Sequence, residues 1–270
     1  KAGQEYFFSY DGDMTTKYHA SRTAETHAFW FIPYLKPGMA LLDVGCASGS
    51  ITAGLAKAVE PGQVNGVDIS AKEIERAKQR KDEDDLENVH FEVGDAYQLD
   101  FPDSSFDALF SHNVLEHIPE PIKALKEMHR VLKPGGIIGV RDIDFGGLLT
   151  APDDDGFWDQ MNKAYTADWE NIGAHGEIGR QLGGLLHEAG FVEIKMTASY
   201  QVFNDPESCA YWMQLACSII QDPISRDRIV KSGLANAKEM DAWVRFWKDW
   251  AELPGAFHAR SHCEAIGRKA

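Results

Sequence analysis

Leu41-Leu42-Asp43-Val44-Gly45-Cys46-Ala47-Ser48-Gly49 is the stretch whose reading decides the fold. The run from Met39 to Val44 is short and apolar, and its exit is Gly-rich. That is the mark of a strand buried on both faces. Residues 50–59 then follow the period of a helix, so the stretch reads as strand, tight turn, helix. Outward from it the alternation repeats. Lys36-Pro37-Gly38 turns the chain before the strand, and Pro61-Gly62 turns it after the helix. A second strand is expected at Val64–Ile69 and a charged amphipathic helix at Ala71–Lys81. Strands follow at Val89–Val93 and Phe106–Ser111, then a helix at Ile122–Val131. Lys133-Pro134-Gly135-Gly136 stops that helix, and a fifth strand is expected at Ile137–Arg141. Strand alternating with helix implies an α/β fold with a mainly parallel sheet and helices on both faces. Ligands of such sheets sit beyond the carboxyl ends of the strands.

Three regions result. Residues 1–35 form an N-terminal helical cap, with a helical run at Ser21–Leu35, and 36–142 form the core. Residues 143–270 form a helical lid, an acceptor-binding insert and the C-terminal strands of the same domain. Within the last region Gly179–Ala189 reads as helix, Phe191–Val202 as strand, Pro206–Gln221 and Ser225–Ala251 as helices, and His262–Arg268 as a final strand.

With 42 acidic against 27 basic residues, the net charge of −15 argues against nucleic acid as the main partner, because phosphate binding needs a basic surface. Cys46, Cys209, Cys217 and Cys263 form no CxxC pair, and free thiols in a reducing compartment are expected. No apolar run is long enough to span a bilayer, and no signal peptide is expected. The expected setting is the cytoplasm, as a monomer or homodimer.

The strand exits carry the chemistry. At Gly45–Gly49 the backbone can approach a ligand closely and aim free N–H groups at it. The dinucleotide fingerprint would need Gly at 47 and Gly or Ala at 50, where the chain has Ala47 and Ser50. Asp43, two residues before the first glycine, would repel a pyrophosphate but suits a cofactor carrying an ammonium and a sulfonium. Asp68, at the exit Gly66-Val67-Asp68-Ile69-Ser70, is placed to accept both ribose hydroxyls, while Ser70 caps the next helix. Asp95 can take an adenine amino group, and the Ala96 N–H a ring nitrogen. The residues thus lean from NAD toward S-adenosylmethionine.

As an ordered set, LLDVGCASG, GVDIS, GDAYQLDFPDSSFDALFSHNVLEHIPEP and RVLKPGG resemble the class I methyltransferases of ubiquinone and menaquinone biosynthesis, the UbiE type. The resemblance covers residues 18–142 closely and departs at Ala47, where that family usually has Gly. It implies a Rossmann-like seven-stranded sheet with an antiparallel last strand, plus a helical cover. It also implies S-adenosylmethionine as cofactor, S-adenosylhomocysteine as product and a small-molecule acceptor, quinone-like or a secondary metabolite. Carried over residue by residue, the cofactor-binding set is Tyr18, Arg22, Asp43, Gly45, Cys46, Ala47, Gly49, Asp68, Ile69, Asp95, Ala96 and Ser111. Tyr18 and Arg22 would close over the methionine end, and the Ser111 backbone would meet its amino group.

His112 and His117 are candidate general bases, and Asp142 could deprotonate or orient an acceptor. His175 is a further candidate. No compact ligand set suggests a metal. Trp243, Trp247 and Trp250 share one helix face, read first as core and second as the wall of an acceptor pocket. Two other functions remain open at this point: a protein that binds the cofactor without methyl transfer, and an NAD-linked oxidoreductase.

Overall fold

The structure, a computed structural model, describes residues 13–153 and 156–270. Residues 1–12 of the expected cap lie outside the described residues. In chain order the elements are α1 (Asp13–Ala20), α2 (Ala24–His27), β1 (Leu41–Val44), α3 (Ser50–Val59), β2 (Val64–Asp68), α4 (Ala71–Glu83), β3 (Val89–Val93), β4 (Phe106–His112), α5 (Pro121–Val131) and β5 (Leu132–Ile143). They continue with β6 (Leu149–Ala151), α6 (Phe157–Asn171), α7 (Leu182–Glu188), β7 (Phe191–Phe203), α8 (Pro206–Ile220), α9 (Pro223–Lys231), α10 (Ala237–Trp250) and β8 (Phe257–Lys269).

The chain divides into two compact units. One comprises His19–Asp142, Ile178–Ala198 and Cys263–Ala270. Its sheet runs in the order β3-β2-β1-β4-β5-β8, with β7 also paired to β8. Pairings β1–β2, β1–β4, β2–β3 and β4–β5 are parallel. The strand order reverses between β1 and β4, which is the switch point where ligands of doubly wound sheets bind. Alternation along β1 feeds two cores. Leu41 joins Phe31, Leu55, Phe91 and Phe110 on one face, and Leu42 joins Leu109, Leu125, Ile138 and Phe191 on the other. All four residues of β1 are buried, which explains why it reads as an apolar run interrupted only by Asp43. Ser70 caps α4 by accepting the Glu73 N–H at 3.3 Å.

The other unit holds Ile143–Glu177 and Ser199–His262 with the described chain up to Tyr18. There β6 pairs antiparallel with the start of β8. Trp212, Trp243, Trp247 and Trp250 pack with Met161, Phe203 and Ile229 in its core, so the tryptophan face of α10 is core packing. Asp205 and Asn236 close capping boxes at α8 and α10.

Several boundaries differ from expectation. The helical run at 21–35 is cut to α2 and a 3-10 turn at Ile32–Tyr34, because Pro33 cannot continue a helix. The expected helix at 225–251 is broken into α9 and α10 where Gly233 takes φ 74°. Strand β5 starts five residues early, but Phe106 pairs with Leu132 and Ala108 with Ile137, so the Lys-Pro-Gly-Gly run bulges out of the ladder as a turn would. The short β6 brings the strands to eight. Among the described residues no helix is long and apolar enough to cross a membrane.

Candidate functional site

Where β1 ends, the chain turns sharply to enter α3. Gly45, Ala47 and Gly49 take φ of 78°, 46° and 72°, the left-handed region that favours glycine. The Gly45 and Cys46 N–H groups donate to Val67 O at 2.8 and 3.0 Å, pinning the turn to β2. A Cβ on Gly45 would lie 2.1 Å from Val114 Cγ2, and one on Gly49 2.6 Å from Phe91 Cζ. These two glycines are therefore required by space as well as by φ.

The β2 exit closes on the same turn. Asp68 accepts the Ala47 N–H through Oδ2 and the Ser70 N–H through Oδ1, both at 2.9 Å. Burial pushes its carboxyl above the usual range against these hydrogen bonds. Asp43 is buried and accepts the Thr52 hydroxyl at 2.6 Å. Burial raises its carboxyl to about 7, the Thr52 bond opposes the rise and the charge of Asp68 adds to it. Cys46 is buried beside both, and burial first, then Asp43 and Asp68, lift its thiol well above the ordinary range. That makes it a poor nucleophile. Ile69 at the β2 exit is 38% exposed and Val93 at the β3 exit 56%. Asp95 turns the chain after β3, its Oδ1 accepting the Tyr97 N–H at 2.8 Å, and Ala96 packs partly buried nearby.

At the β4 exit Ser111 is fully buried, flanked in register by Val44 and Val140. Its hydroxyl, like that of Ser48, has no hydrogen-bond partner. His112 shares a 2.6 Å contact between Nε2 and Arg141 Nη1. Arg141 also meets Glu264 at 3.2 Å, and Glu264 accepts the Thr197 hydroxyl at 2.9 Å. Because an arginine can only donate, the His112 Nε2 lone pair is occupied by Arg141. His117 Nε2 lies 3.2 Å from Glu116 Oε1, and Asn113 donates to the same oxygen at 3.1 Å from a backbone with φ 54°. Asp142, fully buried, accepts the Glu116 N–H at 3.0 Å. Burial and the neighbouring Glu116 raise its carboxyl well above the usual range.

The structure thus gathers Asp43, Gly45, Cys46, Ala47, Gly49, Asp68, Ile69, Asp95, Ala96, Ser111, His112, His117 and Asp142 at the carboxyl ends of β1 to β5. Arg22 lies half-buried between α1 and α2, its N–H on His19 O at 3.3 Å. Tyr18 belongs to the other unit, where its hydroxyl donates to Gln201 Oε1 and accepts from Arg260 Nη1, both at 2.7 Å. The sequence reading missed two supports. Thr52 carries a weak signal, as a hydroxyl one turn into the helix after the acidic strand. Glu264 stands 123 residues from Arg141 and carries no local signal.

The sequence pattern of the methyltransferase domain matches residues 35–190. An uncharacterized methyltransferase of Schizosaccharomyces pombe is 32% identical over 249 residues, covering 86% of each chain. A demethylmenaquinone methyltransferase of Staphylococcus aureus is 41% identical over 120 residues, 42% of this chain and 49% of that protein. The solved YcgJ protein of Bacillus subtilis superposes with a TM-score of 0.60 at 17% identity, over 90% of this chain and 97% of that one.

Proposed function

The chain belongs to the methyltransferase-domain family, and on that premise we propose that it moves the sulfonium methyl of S-adenosylmethionine onto a small-molecule acceptor, quinone-like or a secondary metabolite, by in-line displacement. The observation that carries this reading is the left-handed turn at Gly45, Ala47 and Gly49, tied to the Asp68 carboxylate. Such a turn presents backbone where a cofactor needs close approach, with the ribose acceptor beside it.

The residues present fit that cofactor. Two buried hydroxyls, Ser48 and Ser111, lack partners, as expected of groups completed by a ligand. Ile69 and Val93 leave apolar surface uncovered beside Asp68 and Asp95, where an adenine ring would find contact. Asp43 is buried and accepts the Thr52 hydroxyl, tying β1 to α3 beneath the turn.

When bound, S-adenosylmethionine supplies an already activated methyl group, so positioning provides most of the rate. Asp68 would hold the ribose, Asp95 and Ala96 the adenine, the Gly45–Gly49 backbone with Cys46 the methionine stem, and Ser111 and Arg22 its amino acid end. Where the acceptor must lose a proton, His117 is the base, oriented by Glu116. His112 is braced by Arg141 and positions the β4 exit. Asp142, its carboxyl pushed up by burial and by Glu116, accepts the Glu116 N–H and so sets the loop that carries His117. Residues 143–270 supply the acceptor-binding insert and the last strands. The partial similarity to a demethylmenaquinone methyltransferase supports the quinone-like class.

Calorimetry tests the reading. Heat with S-adenosylmethionine and S-adenosylhomocysteine, and none with NAD, is expected, and the reverse would refute it. Mass analysis with labelled methyl donor and an acceptor panel then separates turnover from binding alone, which is the second reading.

A further inference from the structure

Four neighbouring strands each give one side chain to a hydrogen-bonded line across the sheet, all within the unit of His19–Asp142, Ile178–Ala198 and Cys263–Ala270. On β7 the Thr197 hydroxyl donates to Glu264 Oε2 at 2.9 Å. On β8 Glu264 accepts the Arg141 Nε–H through Oε1 at 3.2 Å. On β5 Arg141 turns its Nη1 to His112 Nε2 at 2.6 Å, and the two residues stand opposite each other in the β4–β5 register. Glu264, Arg141 and His112 are 1%, 2% and 6% exposed.

Chemistry fixes the direction of this line. A guanidinium carries donors only and keeps its charge in proteins. His112 Nε2 is therefore the accepting nitrogen, and the proton of the neutral ring sits on Nδ1. An imidazolium would set one N–H against another at 2.6 Å in a buried place. Glu264 matters because it holds Arg141 at Nε. A planar fork held there has one orientation, and that orientation delivers Nη1 to His112. The Thr197 hydroxyl takes the other carboxylate oxygen, so Glu264 is held from both sides. Around the ring, His27 on α2 stands edge-on with centroids 5.3 Å apart, its own Nδ1 against the Thr26 hydroxyl at 2.8 Å, and Phe110 stacks at 6.5 Å.

We infer that Glu264 and Arg141 are positioning residues that lock His112 as the neutral tautomer protonated at Nδ1, so that His112 takes no proton from a methyl acceptor. Resting on the methyltransferase reading, the lock withdraws one of the two imidazoles after β4 from base chemistry. It also gives a role to Glu264, which stands 123 residues from Arg141 in the chain.

The imidazole is observed directly. Long-range proton–nitrogen spectra of the whole chain, with its 10 histidines labelled, are recorded from about pH 5 to about pH 8, where histidine ordinarily titrates. H112Q identifies the His112 signals by their loss. In the wild type His112 is expected to show a protonated Nδ1 and an unprotonated Nε2, with shifts that do not move across that range. R141M/E264Q removes both charges together, the gentler change for a buried pair. His112 should then move toward the Nε2-protonated form that free imidazole prefers. A proton on Nε2 in the wild type, or a wild-type His112 that titrates, would overturn the lock. So would an Nδ1 proton unchanged in the double variant, since ordinary packing would then set the ring. If the double variant does not fold, the wild-type spectra decide alone. Calorimetry with S-adenosylhomocysteine on the same wild-type sample keeps the two ideas apart. Binding together with the wrong tautomer defeats the lock alone. No binding defeats the methyltransferase reading, while the spectra still decide the lock.

Discussion

Replacing Asp43 by Asn separates what this carboxyl does for the fold from what it does for the site. In the unfolded chain it titrates near its ordinary 3.8, and in the folded chain at about 7. The folded state therefore holds the proton more tightly, so stability falls as pH rises from the first value to the second and levels off above about 7. At roughly 1.4 kcal/mol per pH unit, the gap of about three units costs the wild type about 4 kcal/mol across that window, with roughly two-thirds of it between pH 5 and pH 8. Asn is a near-isostere whose carbonyl still accepts the Thr52 hydroxyl, but it does not titrate. Its unpaired amide adds an offset that is constant with pH. The measurement is urea unfolding of both proteins at pH 5, 6, 7 and 8. The stability of D43N relative to wild type is expected to climb with pH and flatten near pH 8, while affinity for S-adenosylmethionine drops. A difference that does not change with pH would refute the reasoning, since it would mean the Asp43 carboxyl titrates normally.

The turn itself offers further checks. Ala47 sits at φ 46°, so A47G should gain about 0.5 kcal/mol in urea unfolding, the relief of left-handed strain less the added freedom of the unfolded chain. G49A meets Phe91 at 2.6 Å and keeps the left-handed φ. It should lose about 2 kcal/mol and weaken S-adenosylhomocysteine binding in calorimetry. E264Q removes a carboxylate that pairs with buried Arg141 and should cost about 3 kcal/mol, read as a lower unfolding midpoint. Unchanged midpoints in G49A or E264Q would contradict the packing and charge arguments respectively.

Much of the β1 to β5 unit is readable along the chain because it is built from local rules. Strands buried on both faces read as apolar runs, each ends in a turn with its own punctuation, and acidic residues stand where a ribose or adenine edge would be met. Ala47 shows how far this goes. It departs from the glycine expected there, yet the backbone takes the glycine-like angle. What escaped the sequence was set by tertiary contact. Glu264 finds Arg141 only because β8 joins the sheet, and the early start of β8 at Phe257 follows from its pairing with β6. The occupation of His112 Nε2 by Arg141 is likewise a packing outcome, and no spacing rule connects the two residues. The division of α9 from α10 falls at Gly233, whose φ of 74° interrupts a stretch that has helical character on both sides.

The helices α8, α9 and α10 leave the chain at the end of β7 and return to it at the start of β8, two strands that lie paired. A segment whose two ends are neighbours can be exchanged for another of different length without moving its attachment points. Arg260 lies just past the return point and Tyr18 far upstream, so a graft of residues 206–250 would keep that pair of side chains and replace Trp212. Along its own chain the protein thus reads as a frame interrupted by one inserted block, residues 206–250, that carries most of the core of its own unit.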